Sequence, residues 1–105
     1  MNLRGTLPPL ILEALLHGPD HGYSIAQRIK QRSEGVLEFK EGTLYPALHK
    51  LEQEGSVESY EEMENGRMRR YYRITRGGRS ALAKSRVEWK RMSRAVNLIL
   101  KESEA

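Results

Sequence analysis

The sequence predicts a mostly α-helical chain that carries one small two-stranded β hairpin and ends in a long helix. Three observations predict it. Leu44, Ala47, Leu48 and Leu51 recur at the spacing of one helical face. Asn65-Gly66 separates two runs rich in Val, Tyr, Ile, Ser and Thr, the strongest short-range hairpin signal. Leu82, Ser85, Trp89, Met92, Val96 and Ile99 then alternate steps of three and four, a heptad seam over nearly three repeats. With 105 residues there is room for one hydrophobic core. The expected organisation is a body over residues 1–75 and a terminal helix over residues 76–105.

The first helix is expected to begin near Pro8, because the residue before a proline avoids the α region and a proline's missing N–H costs nothing in a helix's first turn. Leu10, Ile11, Leu12, Ala14, Leu15 and Leu16 leave few polar positions. Such a helix must be covered on more than one side, one facing the core and another a partner subunit. His17-Gly18-Pro19-Asp20 reads as a break, followed by a second helix from about His21 to Gln31 with Ile25, Ala26 and Ile29 on its apolar face.

The third helix lies within residues 41–55, and Gly55 supplies its stop. Projection at about 100° per residue puts Pro46, His49 and Gln53 opposite the leucines, flanked by Thr43, Tyr45 and Lys50. Lys40, just before this helix, cannot accept the orphan N–H bonds of the first turn. The strands run from about Ser56 to Met63 and from Arg69 to Thr75. Arg67, Arg69, Arg70 and Arg73 face Glu58, Glu61 and Glu62 across the hairpin, and such pairs hold strands together by about 0.2–1 kcal/mol each. Tyr71 and Tyr72 fall on opposite faces, so one of them fills the core. A terminal seam with no further helix to receive it predicts packing on a second copy of the chain.

Composition narrows the function. The net charge of +4 favours a polyanionic partner only mildly. The absence of cysteine excludes disulfides and thiolate metal sites and fits the reducing cytoplasm. His17, His21 and His49 are scattered over three elements without carboxylates beside them, so neither a metal nor a cofactor is expected. The apolar run Leu7–Leu16 is broken by Glu13 and two prolines and is far short of the roughly 20 residues that cross a bilayer. No cysteine nucleophile, glycine-rich phosphate loop or paired acid and base supports an enzyme.

The order helix, helix, helix, hairpin, helix is that of a winged helix-turn-helix, whose third helix enters the major groove of DNA while the hairpin reaches the neighbouring backbone or minor groove. Hydrogen-bonding and apolar groups on the third helix suit base edges, and arginines at the hairpin tip suit phosphates. By that division Arg67 and Arg69 are the DNA candidates of the wing, whereas Arg70 and Arg73, on the strand body, are the hairpin-pairing ones.

HGYSIAQRI at 21–29, EGTLYPALHKLEQEG at 41–55 and RRYYRITRGG at 69–78 closely resemble three blocks of the PadR family of bacterial transcriptional regulators, with matching spacing from about Gly5 to Trp89. The resemblance implies a homodimer joined through the first and last helices, usually a repressor that leaves an inverted-repeat operator when an effector binds. By position it implies Tyr23, Thr43, Tyr45, Pro46, His49 and Lys50 at double-stranded DNA, with Arg67 and Arg69 in the wing. The single helix after the wing is similar to the shorter subgroup. In its drug-responding members an aromatic residue of that helix lines a pore between subunits, and Trp89 stands at that place. Trp89, Met92 and Val96 are therefore candidates for a small aromatic or drug-like effector, or else fill the dimer interface. The competing functional reading is a winged-helix module that docks its basic wing on an acidic protein without sequence-specific DNA binding; steep salt dependence on random duplex separates the two.

Overall fold

The computed structural model describes residues 3–102, with side chains from residue 5 to 101. The outermost ends of the two expected spans, residues 1, 2 and 103–105, lie outside the described residues. A 3-10 turn, Leu3–Thr6, leads into α1 (Leu7–Ala14), β1 (Asp20–His21), α2 (Gly22–Arg32), α3 (Glu41–Gln53), β2 (Val57–Glu64), β3 (Arg67–Ile74) and α4 (Arg76–Glu102).

Both prolines sit in the first turn of α1, where no N–H is needed. The helix closes at Ala14, earlier than its apolar run, and Leu15 and Leu16 continue as a turn. Leu7, Ile11, Leu12, Ala14 and Leu15 are all buried, and Leu10 and Leu16 pack partly against the core. The covering comes from α2, α3 and α4 of the same chain, so one protomer already encloses most of α1. Around it Ile25 and Ile29 of α2, Leu44, Leu48 and Leu51 of α3, Val57, Tyr72 and Leu82 complete the core. Each fully buried Leu or Ile side chain contributes roughly 1.5–3 kcal/mol by leaving water.

The hairpin forms where expected. Asn65 and Gly66 both have positive φ, 50° and 79°, the pair of left-handed residues a type I′ turn requires. The register runs from Val57 opposite Ile74 to Glu64 opposite Arg67. A third strand joins it: β1 pairs antiparallel with β3, Asp20 opposite Tyr72 and His21 opposite Tyr71, giving the order β1-β3-β2. The segment that reads as a break therefore also anchors the root of the wing.

The path from β3 into α4 is fixed by two residues. Thr75 accepts the Gly78 N–H on its hydroxyl at 3.0 Å and donates to the Gly55 carbonyl at 2.6 Å, tying the end of α3 to the start of α4. A Cβ at Gly78 would stand 2.1 Å from the Ser56 carbonyl oxygen, so only glycine lets the helix cross the hairpin root. Beyond that crossing Leu82 is buried, and the Arg86 guanidinium pairs with Glu13 of α1. From Val87 to Lys101 α4 is exposed apart from a half-buried Ser93, and the molecule is drawn out to 59 × 27 × 22 Å.

Candidate nucleic-acid interface

The leucines of α3 turn inward and leave Thr43, Tyr45, Pro46, His49 and Lys50 exposed. The helix begins at Glu41, so Pro46 lies inside it, and a side chain at Gly42, one turn earlier, would meet only open space. Lys40 occupies the N-cap position and offers no capping bond from its side chain. His49 is held on its own face by Gln53, whose amide nitrogen lies 3.3 Å from His49 Nε2.

Tyr45 is only 42% exposed, because its ring lies against the first residue of α2. A Cβ on Gly22 would come within 2.8 Å of the Tyr45 hydroxyl and ring edge. The two helices of the helix-turn-helix thus approach through a glycine. His21 caps α2, its Nδ1 accepting the Ser24 N–H at 3.4 Å. Tyr23, one residue into the helix, is 59% exposed. It borders an open concavity of about 480 Å³ with Gln27, Lys30, Lys40 and Glu41.

The wing is locked to α3 from one side and braced on the other. On the α3 side Ser59 donates to the Glu52 carboxylate, and Arg70 donates to Ser59 Oγ at 2.8 Å and lies 3.4 Å from Glu52. The Ser59 hydroxyl bond holds the Glu52 carboxyl below its usual range; burial opposes this, and the Arg70 charge adds to it. Tyr72, on the same face, is buried, and burial pushes its phenol up. On the opposite face Tyr71 stacks on Tyr60, centroids 5.8 Å apart, and meets the His21 ring edge-on at 5.6 Å. The Tyr71 hydroxyl donates to Glu64, which pushes its pKa up to about 12.

This bracing sorts the wing arginines. Arg73 pairs with Glu58 at 3.5 Å and covers the Tyr60 ring. Arg70 leaves its register partner Glu61 for Glu52 of α3. Arg69, opposite Glu62, is half-buried and lies 3.7 Å from Glu64. Arg67, at the exposed tip, has no ion pair among the described residues.

On α4, Trp89, Met92, Val96 and Ile99 share one stripe and are 53%, 59%, 44% and 70% exposed. Within one protomer they form a ridge, so Trp89, Met92 and Val96 acquire walls only against another surface.

A model of the PadR-like family of transcriptional regulators matches residues 11–84, which is most of this fold and the whole of its α3 and wing. The chain belongs to that family. It is 38% identical over 88 residues to transcriptional regulator Rv3488 of Mycobacterium tuberculosis, covering 81% of this chain and 79% of the relative. A transcriptional regulator from Clostridium thermocellum superposes with a TM-score of 0.84 at 34% identity, covering 90% of this chain and 93% of that one. Bacillus subtilis PadR, solved in complex with operator DNA, superposes with a TM-score of 0.69 at 26% identity over 75% of this chain and 45% of its own.

This PadR-like chain is thus a transcriptional regulator of a family without enzymatic function, and among the described residues no helix is long and apolar enough to cross a membrane. Its fold gathers Thr43, Tyr45, Pro46, His49 and Lys50 on α3 and sets Tyr23 beside the start of that helix. Arg67 and Arg69 stand on the wing but differ in availability. Sequence reasoning missed the residues that hold this arrangement: Gly22 under Tyr45, Glu52 and Ser59 between α3 and the wing, and Gly78 at the hairpin root. The only advance signal was that Gly22, Glu52 and Gly78 lie inside blocks with the family's pattern; Ser59 lies between two of them.

Proposed function

We propose that this PadR-like regulator is a cytoplasmic repressor that reads an inverted-repeat operator as a twofold-symmetric homodimer. The observation that carries the reading is the exposed row from Thr43 to Lys50 beside a braced hairpin with an unpaired arginine at its tip. Tyr45, Pro46, His49 and Lys50 offer apolar contact and hydrogen bonds at base edges, while Tyr23 and Thr43 sit at the helix entrance, where backbone contacts fix register. Arg67 takes a phosphate directly. Arg69 does so by exchanging Glu64 for the DNA backbone.

Dimerisation through the α4 stripe would set two α3 helices about one helical turn apart, roughly 10 bp. Trp89, Met92 and Val96 would then meet their symmetry mates and wall a cleft whose flat and flexible side chains suit a small aromatic effector. The operator complex of Bacillus subtilis PadR supports DNA as the ligand of this face.

Selection of bound duplexes from a random pool tests the whole reading. A recovered palindrome with half-sites about 10 bp apart is expected. Recovery of unrelated sequences, with no shared half-site, would leave the winged module as a protein-docking device.

A further inference from the structure

The basic excess of this chain is not where its recognition helix is. Residues 1–75 contain ten Lys and Arg against eleven Asp and Glu, a net charge of −1. Residues 76–105 contain eight against three, a net of +5. Pairing deepens the contrast. In the winged body Arg28, Lys30, Arg32, Arg69, Arg70 and Arg73 are all in ion pairs. On α4 the Arg86 guanidinium is paired with Glu13. Lys84, Lys90, Arg91, Arg94 and Lys101 have no ion-pair partner among the described residues.

Projected at about 100° per residue, those five cations fall within an arc of about 120°, centred on the side opposite Trp89 and Val96. From Lys84 to Lys101 the rise is about 25 Å; Lys90, Arg91 and Arg94 span about 6 Å of it, inside the roughly 8 Å screening length of physiological salt, so they act as one field that Lys84 and Lys101 extend about 9 and 10.5 Å to either side. A duplex presents one negative charge per about 1.7 Å of axis, the partner that an extended row of unpaired cations fits.

Resting on the DNA-binding reading above, we infer that the Lys84–Lys101 ridge of α4 is a second, sequence-independent contact surface for duplex DNA. It adds to the counterion release that the near-neutral winged body draws from the few cations of its α3 face and wing. A dimer closed over the Trp89 stripe leaves the ridge outside, because the two faces point in opposite directions. The arc also holds exposed Val87 and Leu98, 67% and 57% accessible. They are eleven residues apart and too few for the broad apolar face with which a helix enters a lipid interface. The apolar stripe lies on the far side.

The test is binding of the full chain to a random-sequence duplex across a potassium chloride series, with a Lys90→Gln, Arg91→Gln, Arg94→Gln, Lys101→Gln variant. Circular dichroism and light scattering confirm its helix content and assembly. Each lost phosphate contact lowers the slope of log affinity against log salt by about 0.9, so a fall of at least about two units and an affinity at least tenfold weaker near 100 mM salt are expected. Preference for the selected operator over random duplex should be kept. An unchanged slope makes the ridge an ordinary solvated face and overturns the inference. So does a variant that keeps its DNA slope but loses binding to phosphatidylserine vesicles. Failure of the unaltered chain to bind any duplex would instead remove the function on which the ridge depends.

Discussion

At the residue scale the face of α3 depends on a neighbour that has no side chain. Gly22 opens α2 where a methyl group would meet the far end of the Tyr45 ring at 2.8 Å. That end can swing aside, so Gly22→Ala should fold with a stability change of about 1 kcal/mol or less while the Tyr45 hydroxyl moves off its present position. Operator affinity should fall about tenfold, the scale of one base contact, with the salt slope unchanged. Anisotropy titrations of variant and parent check this, and equal operator affinity would mean that Tyr45 is a spacer between helices and no reader. The outward position of Tyr45 was legible from helical periodicity, but its seat on Gly22 was not, because a glycine announces no contact and the approach is set by how two helices cross. The wing arginines show the same limit. Distance from the turn groups Arg69 with Arg67, whereas Arg69 passes its register partner Glu62 and reaches the diagonal carboxylate of Glu64, with Arg70 and Arg73 also paired.

Between elements, the question is what keeps the wing at a fixed angle to α3. The hairpin was readable because Asn65-Gly66 and the alternation around it are local. Its attachments were not, since β1 is two residues long and is defined only by pairing with Tyr71 and Tyr72. The Glu52–Ser59–Arg70 contact likewise joins residues that no period relates. That contact has a pH signature. The Glu52 carboxyl is held below its usual value near 4.5, so its contribution to stability is complete above that pH and is lost as pH falls through the lowered value. Glu52→Gln should lower the melting temperature at neutral pH and show a smaller further drop between about pH 5 and pH 3 than the parent does. Thermal melts at both pH values compare the two, and parallel acid losses would show that the carboxylate does not hold the wing. Because the group is only partly buried, the effect is modest at neutral pH and grows as salt is removed.

For the molecule as a whole, α4 joins a body that is already complete to a surface that is not. The core closes within one protomer around α1, and Leu82 is the last residue of α4 to enter it. Trp89, Met92, Val96 and Ile99 continue the same stripe into solvent. Apolar side chains exposed in a row at heptad spacing gain about 25 cal/mol per Å² when a second helix covers them, whereas isolated exposed leucines need no partner. The seam was legible because heptad spacing is periodic, and a seam with no further helix to receive it predicts a second copy as its cover; how the two copies cross was not legible, because no period in one chain sets the angle between two. Val96 is the least exposed of the four and lies mid-seam, so a charge there cannot reach water once the face is closed. Val96→Asp should therefore raise the dimer dissociation constant at least about 100-fold, the scale of an unpaired charge at a closing interface, while leaving the winged body folded. Light scattering at micromolar concentration would then report monomer for the variant and dimer for the parent. Trp89 emission, from the single tryptophan of the chain, should shift to longer wavelength as the ring enters water. Palindromic operator binding should be lost while weak binding to random duplex remains, since each winged body keeps its own α3 face. A variant that stays dimeric would place the twofold contact elsewhere and leave the α4 stripe without the role that its spacing predicts.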